Sequence, residues 1–146
     1  MEVDDRFFSF IEVEEGLVLT AYRDTGGVLT IGYGHTKDVH EGQVITAEQA
    51  KDMLVQDVSW ATSDVNRLVK VPLTQNQFNA LVSFDFNIGT GQFTTSTLLR
   101  RLNLGKYEDV PGQLMRWLYD GSGNPVLKNR RTHEVALWNE GNAASA

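Results

Sequence analysis

The sequence predicts an α+β fold, mostly α: a small N-terminal lobe with an antiparallel β-hairpin or three-stranded sheet, a long bridging helix, and a helical C-terminal lobe. Three observations carry this expectation. Strand-like alternation is confined to residues 17–36, around the turn Asp24-Thr-Gly-Gly27. Two capping boxes, Thr46-Ala-Glu-Gln49 and Thr74-Gln-Asn-Gln77, each announce a helix start. Beyond Pro72 the apolar residues recur at helical spacing, punctuated by glycine and proline.

Residues 4–14 read as a short amphipathic helix, with Phe7, Phe8, Ile11 and Leu17 on one face and Glu12 and Glu14 outward. Gly16 stops it, which leaves Glu15 in the last turn. Leu17, Leu19 and Ala21 then alternate into one strand, and Val28, Thr30, Ile31 and Tyr33 into the next. Gly32 and Gly34 permit a bulge or a close backbone approach. From Thr46 a helix is expected to run to about Val69, burying Ala50, Met53, Leu54, Val58, Ala61, Val65 and Leu68. At roughly 22 residues it would span about 33 Å, enough to bridge two lobes. The helix after Thr74 is apolar all round (Phe78, Leu81, Val82, Phe84, Phe86, Ile88), hence central, and stops at Gly89-Thr-Gly91. Ser96 caps a helix to about Leu104. Another is expected across 107–119 with Pro111-Gly112 near its start, and a last one from about Leu127 to Trp138. The chain thus reads as one domain, 1–146. Lobe one spans about 13–60, the bridging helix about 46–69, and lobe two about 70–146 together with the N-terminal helix. A cleft between lobes is the natural ligand site. Gly141 to Ala146 read as a short tail.

Composition excludes several classes. With no cysteine among 146 residues there is no disulfide framework and no thiolate zinc site. His35, His40 and His133 fit no zinc spacing, so neither a metal nor another cofactor is implied. The acidic start, Met1-Glu-Val-Asp-Asp-Arg-Phe-Phe, is neither a secretory signal nor a membrane anchor. A cytoplasmic location until release is the expectation. The net charge of −6 is uneven: residues 1–64 carry 13 acidic and 4 basic side chains, residues 65–146 carry 6 and 9. That asymmetry serves solubility, or it lets the basic half attract an anionic polymer. No basic stripe with interleaved aromatics points to nucleic acid.

The chemistry concentrates in Glu15 to Thr36. Glu15, Asp24 and Thr30 lie within sixteen residues, on a helix end, a turn and a strand. Cleaving a glycosidic bond needs one carboxyl group to protonate the leaving oxygen. A second must attack, or activate water. Glu15, at a helix C-terminus where the dipole disfavours negative charge, suits the acid. Asp24, in a wet glycine-rich turn, suits the ionised partner, and the Thr30 hydroxyl can hold a water beside it. On residue types alone, a surface ion pair at Glu15 and a purely structural Asp24 turn stay open.

The same run, Glu15 with eight residues to Asp24, five to Thr30, then Ile-Gly-Tyr-Gly-His-Thr36, resembles the signature of the T-even and lambdoid bacteriophage lysozymes. Thr46-Ala-Glu-Gln-Ala, Leu73-Thr-Gln-Asn-Gln-Phe-Asn-Ala-Leu-Val-Ser-Phe, Phe86-Asn-Ile-Gly-Thr-Gly, Ser96-Thr-Leu-Leu, Arg116-Trp117 and Arg130-Arg131 extend the resemblance to the lambdoid branch over essentially the whole chain. It implies a lysozyme-like fold and a monomeric muramidase. The substrate would be the peptidoglycan glycan strand, cut between N-acetylmuramic acid and N-acetylglucosamine with inversion. It implies Glu15 as proton donor, Asp24 as the base and Thr30 as the water-positioning residue. Thr36, Phe86, Asn87 and Ser96 fall where relatives line the sugar cleft, although Phe86 also reads as core and Ser96 as an N-cap. His35 resembles a position paired with an acid on the long helix, here Asp57. Arg130 or Arg131 would hold Glu15 in place. A lytic transglycosylase and a weakly active peptidoglycan-binding module are the alternatives. Three departures stand out. Val126-Leu-Lys-Asn before the double arginine lacks the usual Gly-Leu pair, Pro111-Gly112 replaces helix formers, and Asp85 interrupts an apolar helix.

Overall fold

The computed structural model describes residues 1–141, so the tail expected at the C-terminus lies outside it from residue 142 on. The chain divides into two compact units, residues Asp5–Ser59 and residues Met1–Asp4 with everything from Trp60 onward.

The first unit begins with α1, Asp5–Glu15. Phe7, Phe10 and Ile11 are its buried face, three or four residues apart; Phe8 is only half-buried. Each such side chain contributes about 1.5–3 kcal/mol on burial. The helix stops as the sequence predicts: Gly16 takes φ +77° and its N–H returns to the Glu12 carbonyl at 2.8 Å. Strands β1, Val18–Arg23, and β2, Leu29–Gly32, pair antiparallel, with Arg23 opposite Leu29 and Tyr22 opposite Thr30. The register slips between Tyr22 and Val18, which faces Gly32. The sheet has two strands. The third reduces to one bridge, Thr20 to Val44, flanked by bonds from Ala21 N–H to Gln43 and Ile45 N–H to Leu19. Gly42, at φ +75°, turns the chain just before that contact, and α2 begins shortly after it.

Helix α2, Ala47–Asp57, opens with the predicted capping box, Thr46 and Gln49 bonding each other's backbone. Gly32 is the close-packing position beneath it: a methyl there would lie 3.5 Å from both Ala50 and Ile45. The expected continuous helix to Val69 is instead two. Val58 ends α2 at φ −94°, ψ 1°, and α3, Ser59–Leu68, follows. The Ser59 hydroxyl takes the Gln56 carbonyl at 2.8 Å, competing with the helix backbone at the break. The contacts group α1 with the hairpin, whereas the sequence reading placed it with the helical lobe.

The second unit is built around α4, Gln75–Ile88. Nine consecutive residues, Gln77 to Asp85, are buried, so the helix is enclosed on all sides as its composition predicts. Against it pack α8, Lys128–Asn139, and the short helix α5, Thr90–Thr94, which in turn contacts α6, Thr97–Asn103. The expectation of a helix over 107–119 is corrected. A 3-10 turn, Tyr107–Asp109, leads into α7, Val110–Leu114, which ends after five residues. Pro111 sits in its first turn, where a missing N–H costs nothing, and Gly112 gives no further drive to propagate. Helix α8 starts at Lys128 with no side-chain cap at Leu127.

Candidate active site

In the first unit Glu15 is the last residue of α1 and is exposed. A methyl on Gly34 would come within 3.3 Å of Glu15 Oε2. A tight return produces this approach: Ile31 and His35 exchange both backbone hydrogen bonds at 2.9 Å, with Gly32 and Gly34 at φ +66° and +75°. A bare backbone at position 34 therefore lies directly beside the Glu15 carboxyl group.

Asp24 begins the hairpin loop. Its Oδ1 accepts from Gly26 N–H and Val28 N–H, both at 2.9 Å, while its own N–H reaches the Val28 carbonyl at 3.0 Å and Gly27 N–H returns to the Asp24 carbonyl. The carboxylate is thereby locked in orientation, and its second oxygen has no partner among the described residues. Thr30 lies two residues past Val28 on β2 and is buried, and its hydroxyl donates to the Val28 carbonyl at 2.9 Å. Its lone pairs are left to accept. Thus Asp24, Val28 and Thr30 form one hydrogen-bonded group, set by a five-residue loop.

The expected His35–Asp57 pair is present. His35 Nδ1 meets Asp57 Oδ2 at 2.8 Å, and Nε2 meets the Lys37 carbonyl at 2.8 Å. Both ring nitrogens face acceptors, so the ring is pinned between the segment after β2 and the end of α2. Thr36, next along the chain, is exposed.

In the second unit Phe86 is half-buried and packs against Trp60 with the rings tilted by 41° and their centres 5.9 Å apart, so it is neither pure core nor fully open. Asn87, at the end of α4, accepts from Arg131 Nη2. Ser96 caps α6: it accepts from Leu99 N–H at 3.1 Å and donates to the Phe93 carbonyl at 2.7 Å, which commits its proton to the fold. Arg131 is fully buried; Nε reaches the Trp117 carbonyl at 2.9 Å and Nη1 reaches Glu134 at 2.7 Å. Arg130 reaches Ser83 and, at 3.4 Å, Glu134. Sequence reasoning missed Glu134 and Ser83. The available signal was a glutamate three and four residues after a double arginine, on one helix face, with a serine inside an apolar helix.

A protein-family description, phage lysozyme, matches residues 12–134. The chain belongs to the phage lysozyme family. It is accordingly a lysozyme-type glycoside hydrolase, of the kind that acts on peptidoglycan. The endolysin of Acyrthosiphon pisum secondary endosymbiont phage 1 is 43% identical over 94% of this chain and 98% of its own length. The endolysin of Salmonella phage P22 is 39% identical with the same two coverages. A crystal structure of a P22 lysozyme mutant superposes with a TM-score of 0.87 at 38% identity, covering 94% of this chain and 98% of that one.

Proposed function

We propose that this phage lysozyme cleaves the β-1,4 bond between N-acetylmuramic acid and N-acetylglucosamine with inversion. Glu15 protonates the leaving oxygen, and Asp24 takes a proton from the attacking water. The observation that carries the reading is the Asp24–Thr30 group. One Asp24 oxygen is held by two backbone N–H groups and the other is unpartnered; Thr30 has already spent its proton on Val28. A water giving one hydrogen to Thr30 Oγ1 and the other to Asp24 keeps a lone pair for the anomeric carbon. As that carbon gains the water oxygen, the glycosidic bond breaks and the Glu15 proton goes to the departing sugar hydroxyl.

Glu15 is suited to its part by placement at the carboxyl end of α1, with the Gly34 backbone alongside in place of a side chain. Among the described residues no helix is long and apolar enough to cross a membrane. Delivery to the wall through a separate pore protein fits that observation.

The test is turbidity clearing of permeabilised bacteria with product analysis. Glu15→Gln should lower the rate by about two to four orders of magnitude. Undiminished clearing by Glu15→Gln removes it as the acid. Early-time NMR should show the anomer opposite to the substrate, and mass spectrometry a reducing end. An anhydro sugar instead would mean a transglycosylase.

A further inference from the structure

Near the end of α4, Asp85 is fully enclosed, and neither of its carboxyl oxygens meets a donor among the described residues. The group within hydrogen-bond reach is a second buried acid, Asp64 of α3. Asp64 already accepts twice, from Thr90 Oγ1 at 2.6 Å and from Arg67 Nη2 at 3.1 Å. Two ionised carboxylates in contact inside a protein repel, whereas one proton between them makes a hydrogen bond. Burial, then Asp64, push the Asp85 carboxyl up to about 8, so that proton is in place at neutral pH. Asp64 and Arg67 are the charged groups that act on Asp85, and the pull of Arg67 is the smallest influence on it. Helix α5 carries no charged residue. On α8, Glu134 binds Arg130 and Arg131, and the three reach Ser83 and Asn87. Those two α4 residues lie two positions either side of Asp85, about 200° around the helix. Lys128 and His133 are exposed, and Asp4 meets α4 more than a turn earlier, at Asn79.

Thr90 is the first residue of α5, a five-residue helix whose N-cap, Gly89, supplies no side-chain bond. A helix that short does not hold itself together. It is anchored by Phe93, buried against Phe84 with ring centres 6.2 Å apart, and by the Thr90 bond to Asp64. We infer that Asp85 and Asp64 share one proton, and that this proton latches α5 to α3. With the proton present, Asp85 donates to Asp64, and Asp64 stays turned inward to receive Thr90. Without it the two acids must separate. Asp85 is enclosed on a helix that is itself buried, whereas Asp64 has a way out beside the Arg67 side chain, which is 60% exposed. Turning towards Arg67 withdraws Asp64 from Thr90, and the start of α5 frays. The second unit thus keeps α5 closed in acid and neutral solution and releases it in alkali.

Two measurements on the whole chain decide it, and neither involves substrate, so the outcome is independent of the reaction proposed above. The first follows the side-chain carboxyl carbon of Asp85 by NMR from pH 5 to 10. It should keep its protonated position through pH 7 and titrate with a midpoint near 8. Asp85 already ionised at pH 7 overturns the shared proton. So does a midpoint that falls on adding calcium chloride at fixed ionic strength, which would put a cation between the two acids. The second reads amide exchange at Phe93, whose N–H bonds to the Gly89 carbonyl, corrected for the intrinsic rate at each pH. Protection there should fall about tenfold from pH 8 to 9 while α8 amides keep theirs. In Asp85→Asn, whose amide donates to Asp64 and cannot ionise, protection at Phe93 should stay level over that range. In Thr90→Val, which keeps the shape and loses the hydroxyl, it should be about tenfold lower already at pH 7. No fall in the wild type, the same fall in Asp85→Asn, or full protection in Thr90→Val at pH 7 each overturns the latch.

Discussion

Two fully enclosed acidic side chains of the second unit sit under opposite conditions. Glu134 on α8 is fully enclosed and surrounded by donors: Ser83 Oγ at 2.6 Å, Arg131 Nη1 at 2.7 Å and Arg130 Nε at 3.4 Å. Burial pushes its carboxyl up, and the two guanidinium groups and the Ser83 hydroxyl oppose that push. Asp85 on α4 is equally enclosed, yet neither oxygen meets a donor among the described residues. Facing it is Asp64 of α3, itself an acceptor, tied to Thr90 Oγ1 at 2.6 Å and Arg67 Nη2 at 3.1 Å. Burial first, then the hydrogen bond and charge of Asp64, push Asp85 up to about 8, against a smaller pull from Arg67. A proton on Asp85 gives it something to donate to Asp64. The difference teaches that burial alone does not set the state of an acid: the partners do.

The sharpest way to break the contrast is Glu134→Ala, which removes the carboxyl group that pairs with Arg131, a fully buried cation, and with Arg130. Removing one partner of a buried pair costs about 3–5 kcal/mol, so denaturant unfolding should show a loss of that size. Next comes the pH dependence of Asp85→Asn. The folded chain keeps the Asp85 proton up to about pH 8, whereas an unfolded aspartate releases it near 3.8. Between those values the folded state holds more protons, so wild-type stability falls relative to Asp85→Asn as pH rises, by up to about 1.4 kcal/mol per unit, and the gap levels off above the window. Thermal melts of both proteins from pH 4 to 9 check it; parallel curves would mean Asp85 is ionised throughout.

Ser83→Ala removes one donor from Glu134 and an acceptor from Arg130, and a loss of about 2 kcal/mol is expected in the same unfolding assay. The smallest effect belongs to Arg67→Gln. Its side chain is 60% exposed, so the ion pair with Asp64 is screened by solvent and its loss should cost about 0.5 kcal/mol.

Legibility from the sequence followed the range of the interactions. The Thr46 and Thr74 capping boxes, the Gly16 stop and the Asp24 turn are settled within a few residues, and each formed as read. The His35–Asp57 contact was reached only through family resemblance, since nothing local links residues 22 apart. The break at Val58, the early end of α7 and the choice of a two-stranded hairpin over a three-stranded sheet are not legible in the sequence, because apolar periodicity persists across a one-residue interruption and says little about where pairing stops. Asp85 stands out in the sequence as an acid interrupting an apolar helix, but nothing local points to Asp64 as the group it faces.

By itself the sequence determined the mostly helical class through local chemistry and spacing and the family through resemblance, and it put Glu15, Asp24 and Thr30 on a helix end, a loop and a strand. Only the tertiary structure decided what surrounds each charged group. It ringed Glu134 with donors and left Asp85 facing another acid. The physical reason is that the cost of a buried charge depends on neighbours brought together from distant parts of the chain, which no short stretch of sequence specifies.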